Sequence, residues 1–228
     1  MSPPGRGGDT PLPVDAIDDL LRRPGRVLLG VVGPPGAGKT TTARRIVASV
    51  DERRGRGTAA VVGMDGFHLA NEVLVALGRR DRKGAPDTFD VDGLVSLLER
   101  LVRRDEPVVY APRFDRSREE AIAAAVAVPR DVRLVVVEGN YLLHDEGPWA
   151  RVRPLLDAVW YRDTPAALRR RRLLERQRRT YGPEAGADWV RRGRSSRRRR
   201  RRAAGVSRYH TVSRRGRTRA HGPSSCNR

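Results

Sequence analysis

Eight residues, Gly33-Pro-Pro-Gly-Ala-Gly-Lys39-Thr40, match the pattern G-x-x-x-x-G-K-[ST] in full. Glycines at these positions let backbone N–H groups converge on phosphate oxygens. A lysine then reaches the β- and γ-phosphates, and the following hydroxyl can bind Mg²⁺. The positive end of a helix starting here would add to the anion's stabilisation. A nucleotide cradle of Gly33, Pro34, Pro35, Gly36, Ala37, Gly38, Lys39, Thr40 and Thr41 is the expectation, with ATP and Mg²⁺ as cofactors. The competing reading is a glycine-rich turn with an incidental lysine. The context disfavours it, because Arg26–Val32 is a continuous apolar run and Thr40–Val50 has helical character.

Two carboxylates stand where such a site would use them. Asp65 follows the apolar run Ala59–Met64, and ligands of a parallel sheet gather at the carboxyl ends of its strands. Beside a γ-phosphate it could accept the proton of a substrate hydroxyl; otherwise it would cap the helix expected over His68–Leu77. Glu138 ends Arg133-Leu-Val-Val-Val-Glu138, in the position of a carboxylate that holds the water shell of Mg²⁺. With Thr40 it makes the candidate metal pair.

These residues need a scaffold. A short helix over Val14–Arg22 precedes the first strand, and Val91–Arg103 carries Leu94, Leu97, Leu98 and Leu101 on one face. Val108–Tyr110 reads as a short strand, Ala121–Val128 as strand or helix, Ala158–Tyr161 as a strand and Ala166–Arg179 as a very basic helix. Alternating strands and helices argue for an α/β fold, a P-loop NTPase with a mostly parallel, doubly wound sheet. The 228 residues suffice for one such domain, over 14–190, after a disordered leader over 1–13.

Charge is distributed unevenly. Fifteen of the 47 basic residues, all Arg, lie after Asp188, and none of the 27 acidic ones does, so the preceding part carries only about +5. A tail over 191–228, with six successive arginines at Arg197–Arg202, is expected to be disordered and to bind nucleic acid non-specifically. Only Lys39 and Lys83 are lysines, a bias that suggests a GC-rich coding sequence and singles out both positions. The one cysteine, Cys226, excludes an internal disulfide framework, and no apolar run is long enough to span a membrane. The N-terminus has no hydrophobic signal segment, and a cytoplasmic location is the expectation.

Taken together, Gly33–Thr41, Asp65-Gly-Phe-His68 and Glu138-Gly-Asn-Tyr-Leu-Leu143 resemble the phosphoribulokinase/uridine kinase/pantothenate kinase family. Arg82-Lys-Gly-Ala-Pro-Asp-Thr-Phe-Asp90 and Tyr110-Ala-Pro-Arg-Phe-Asp-Arg116 resemble its bacterial nucleoside/nucleotide or fructose-transport-system kinase branch. The resemblance, over about 14–190, implies phosphoryl transfer to a hydroxyl of a small metabolite: a nucleoside, a sugar or a pantothenate-like compound. It implies Asp65 as general base, and His68, Tyr110, Arg113 and Arg116 around the acceptor, with Asp87 and Asp90 in a bordering loop. His68 could instead cap or pack, Tyr110 could belong to the core, and Lys83 is left open between phosphate and solvent. The helix with Arg172 and Arg176, spaced i, i+4, resembles the family's lid, whose arginines would neutralise the transferring phosphoryl group. Homodimers are compatible with the resemblance.

After Val190 the chain departs from the family, lacking an acidic, Asn-containing stretch and a final apolar strand. A frameshift near 190–196 would produce such an Arg/Ser/Gly-rich tail. Two other functions compete with a kinase: a nucleic-acid-binding ATPase gripping phosphates with the tail, and an inactive nucleotide-binding remnant.

Overall fold

A computed structural model describes residues 11–182, 208–212 and 218–220. In chain order it contains α1 (Val14–Leu21), β1 (Val27–Val32), α2 (Lys39–Arg54), β2 (Ala59–Gly63), α3 (Asn71–Ala76), α4 (Val91–Arg103), β3 (Val108–Asp115), β4 (Glu120–Pro129), β5 (Leu134–Gly139), β6 (Ala158–Asp163), α5 (Ala166–Tyr181), β7 (Arg208–Val212) and β8 (Thr218–Ala220). One sheet has the order β2-β5-β1-β6-β7-β8; the first four strands run parallel, and β7 and β8 continue antiparallel. β3 and β4 form a separate antiparallel hairpin.

The central strands β1 and β5 are buried along their whole length, which their apolar, β-branched runs require. Alternate residues feed opposite layers. Val27, Leu29, Val31, Leu134 and Val136 pack with α1 and α2, while Leu28, Val32, Val135 and Val137 pack with α4 and the hairpin. On α4, Leu94, Leu97, Leu98 and Leu101 are all buried, each worth about 1.5–3 kcal/mol of transfer from water. Among the described residues no helix is long and apolar enough to cross a membrane.

Three expectations change. The helix expected from His68 starts only at Asn71; before it lies a 3-10 turn, Met64–Phe67, followed by extended backbone at His68, which bridges to Phe89. The reason is steric: a Cβ on Gly66 would lie 2.4 Å from the Pro112 carbonyl oxygen, so the hairpin presses this turn flat against it. Ala121–Val128, open between strand and helix, is a strand because β3 pairs with it; β3 itself extends to Asp115. The disordered tail fails as an expectation at Arg208–Val212, which pairs with β6 from Val159↔Val212 to Asp163↔Arg208. Most of the tail and of the leader lies outside the described residues.

Candidate active site

Lys39 opens α2, directly after the turn that leaves β1, and the turn needs its glycines. Gly36 and Gly38 have φ of +77° and +89°, the left-handed region that side chains disfavour. A Cβ on Gly36 would also stand 2.7 Å from the Arg169 carbonyl oxygen, so α5 lies directly on the loop. From α5, Arg172 reaches the Ala37 carbonyl at 3.5 Å, which Thr164 also engages at 3.0 Å. The Lys39 ammonium donates to Asn140 Oδ1 at 2.5 Å and to the Pro34 carbonyl at 3.3 Å. An ammonium has three N–H donors, which leaves capacity for a phosphate oxygen. Burial lowers the lysine's pKa; the charges of Glu138 and Asp65 oppose that shift, and Arg176 and Arg116 add to it.

At the end of β5, Glu138 is only 8% exposed and accepts a hydrogen bond from Thr40 Oγ1 at 2.9 Å. Burial raises its pKa, Asp65 adds to the rise, and Lys39 and the Thr40 bond oppose it. A buried carboxylate under such strain has use for a cation. A hydroxyl beside one carboxylate is a hard-oxygen pair of the kind that holds Mg²⁺ when phosphates and waters complete its octahedron. The residues present therefore fit that ion.

Asp65 lies in the 3-10 turn after β2 and does not cap a helix; Arg116 of the hairpin meets its carboxylate at 3.1 Å. The Asp65 carbonyl accepts from His68 Nδ1 at 2.8 Å, so Nδ1 carries the proton. Burial depresses the pKa of His68, and the neutral ring keeps Nε2 as an acceptor. The His68 ring packs between Phe89 (centroids 4.0 Å apart) and Phe114 (4.8 Å).

The hairpin divides the remaining expectations. A register shift between Ala111 and Arg113 interrupts β3, so Phe114 and Arg116 continue the inner face of Val109 and Ala111. Tyr110 and Arg113 fall on the outer face. Tyr110 is 55% exposed and lies opposite Ala127; it is neither core nor, among the described residues, hydrogen-bonded to Asp65, and Arg113 is exposed. Asp90 caps α4, accepting from the Gly93 amide at 2.8 Å, and Asp87 forms a bidentate pair with Arg82. Lys83 has a largely buried side chain, and its ammonium donates to Asn71 Oδ1 and to the Glu119 carbonyl.

Asn140, Tyr141, Phe89 and Phe114 join the site without having been assigned roles from sequence. Asn140 had a signal, two residues after Glu138. The aromatics had none, because their contacts join segments far apart in the chain. Tyr141 donates to the Gly84 carbonyl at 2.8 Å and Trp149, in the 3-10 turn Gly147–Arg151, to the Pro86 carbonyl at 3.0 Å, fastening the 83–89 loop to the segment that follows β5.

Comparison with known proteins gives one consistent answer. A profile of the phosphoribulokinase/uridine kinase family matches residues 28–188. A uridine kinase of Clostridium botulinum is 35% identical over 155 residues, 65% of this chain and 66% of the relative. A pantothenate kinase of Shouchella clausii is 33% identical over 132 residues, 57% of this chain and 42% of the relative. Among solved structures, a protein of Silicibacter sp. TM1040 provisionally named as a fructose transport system kinase superposes with a TM-score of 0.66. It is 37% identical and covers 75% of this chain and 81% of its own.

Proposed function

The chain belongs to the phosphoribulokinase/uridine kinase family and is a small-molecule kinase, and from that premise we propose that it transfers the γ-phosphoryl group of ATP to a hydroxyl of a nucleoside, a sugar or a pantothenate-like compound. The observation that carries this reading is one electrostatic group: Lys39, Glu138, Asp65 and Arg116 act on one another where β1, β2 and β5 end. Cations and carboxylates gathered in this way support a reading in which phosphate is bound beside a proton acceptor. Asp65 Oδ2 accepts from the Arg116 guanidinium, which orients the carboxylate and leaves Oδ1 for the acceptor. As the acceptor oxygen bonds to the γ-phosphorus, its proton passes to Asp65, and the bond to the bridging β–γ oxygen breaks to release ADP. Lys39 and Arg172, with Arg176 beside them, offset the charge spreading over the phosphoryl oxygens. A Mg²⁺ held by Thr40 and Glu138 would supply further neutralisation of the β- and γ-phosphates.

The test is ADP release from Mg·ATP against a panel of uridine, fructose, other sugars and nucleosides, and pantothenate. One acceptor should stimulate release. Asp65→Asn should reduce kcat by about 10²–10⁴-fold, the usual contribution of a positioned base, and Lys39→Ala should abolish turnover. An unaffected Asp65→Asn variant would refute the assignment of the base; a chain that no acceptor stimulates would refute the kinase reading.

A further inference from the structure

Of 47 basic residues only two are lysines, and one of them is Lys39. The other, Lys83, has a side chain 7% exposed. Its ammonium donates to Asn71 Oδ1 at 2.7 Å and to the Glu119 carbonyl at 2.6 Å, with the Glu120 carboxylate 3.9 Å away and the Phe114 ring centroid 5.3 Å away. Asn71 closes the knot from the other side. Its backbone amide donates to Glu120 Oε1 at 2.9 Å and its side-chain amide to the same Glu119 carbonyl at 3.3 Å. Glu119 turns the hairpin with φ of +55°, unusual for a residue with a side chain and maintained by contacts such as these. Three segments meet here: the 83–89 loop, the start of α3 and the β3–β4 turn.

We propose that Lys83 is a positioning residue for the acceptor end of the site, fixing the hairpin so that Phe114 meets His68 and Arg116 meets Asp65. Arg116 lies three residues before Glu119, in the turn directly after β3 that the knot anchors, and its guanidinium is 5.9 Å from the same Phe114 ring that Lys83 faces. At the other end, Tyr141 and Trp149, in the segment that leads from β5 to β6, hold the loop carrying Lys83. The knot therefore transmits the position of the sheet to the hairpin. It also suits a lysine: a compact ammonium seats between two oxygens over a ring, a geometry that a planar, forked guanidinium does not reproduce. The inference rests on the kinase reading only for its activity arm.

The experiment compares the full chain with Lys83→Arg, Lys83→Met and Asn71→Ala. Amide hydrogen exchange is followed by mass spectrometry, and steady-state kinetics use the acceptor that the panel identifies. All three variants should speed exchange in peptides spanning 108–129 and leave peptides of β1, α2 and β5 unchanged. Each should raise KM for the acceptor by about tenfold, the scale of losing a buried charge-assisted bond, with KM for ATP within about twofold of the parent. Lys83→Arg matching the parent in both readouts would overturn the proposal, because charge alone would then suffice. So would unchanged hairpin exchange, or a rise in KM for ATP equal to that for the acceptor. If the Lys83 variants fail to fold, Asn71→Ala decides by the same criteria. Should no acceptor stimulate the parent chain, the kinase reading fails while the exchange arm still decides the knot.

Discussion

His68 joins three segments: its ring nitrogen holds the Asp65 carbonyl, and its faces touch Phe89 and Phe114. Burial lowers its pKa from the ordinary 6.5, so in the unfolded chain this position binds a proton more readily than in the folded one. Its contribution to stability is therefore complete above about pH 6.5 and is lost as the pH falls from that value toward the folded pKa. Urea denaturation at pH 7.5 and 5.5 should show a larger loss on acidification for the parent than for His68→Asn, which keeps a donor for the Asp65 carbonyl but does not titrate. Equal losses would show that the ring titrates freely. The same scale shows what residue patterns could reveal. Lys39, Thr40, Asp65 and Glu138 stood out as candidates because each lies at or just past the carboxyl end of an apolar strand. Phe114 was not, because an interruption at Pro112 moves it to the inner face, and strict alternation would have placed Arg113 there instead.

At the level of elements, the apolar spacing of α4 and the unbroken apolar runs of β1 and β5 predicted these elements well, since each is buried where its sequence is apolar. It predicted the start of α3 poorly. His68, Leu69 and Ala70 lack nothing for helix; what excludes them is the hairpin backbone against Gly66 and the pairing of His68 with Phe89. Such contacts are set by the fold and leave no local trace. Asp90 illustrates the converse, a loop residue read only as bordering the acceptor that also caps a helix. Its carboxylate satisfies the Gly93 amide, one of the orphan donors in the first turn of α4. Asp90→Ala should cost about 1 kcal/mol of stability, seen as a lower urea midpoint at unchanged m, while Asp90→Ser restores most of it. A fall in acceptor affinity without loss of stability would return Asp90 to the site.

For the whole molecule, the main question is how a mildly basic core and an Arg-rich tail share one chain. Composition predicted no packing for the tail, and at Arg208–Val212 that reasoning failed because pairing with β6 draws on backbone groups that composition does not weigh. Tyr209, Thr211 and Val212 are, in addition, residues that fit a strand. Two consequences can be separated by deleting residues 191–228. Removing β7 makes β6 the edge of the sheet, so the truncated chain should melt at a lower temperature and aggregate more readily. Nucleotide affinity should survive, because the loop after β1, the end of β5 and α5 supply the groups that would meet phosphate. Binding to random-sequence DNA should disappear, together with its steep dependence on salt, since counterion release scales with the cations removed. DNA affinity that persists with the same salt slope would move the basic surface from the tail to the core, and would favour the ATPase that grips nucleic acid over the kinase that merely carries a basic extension.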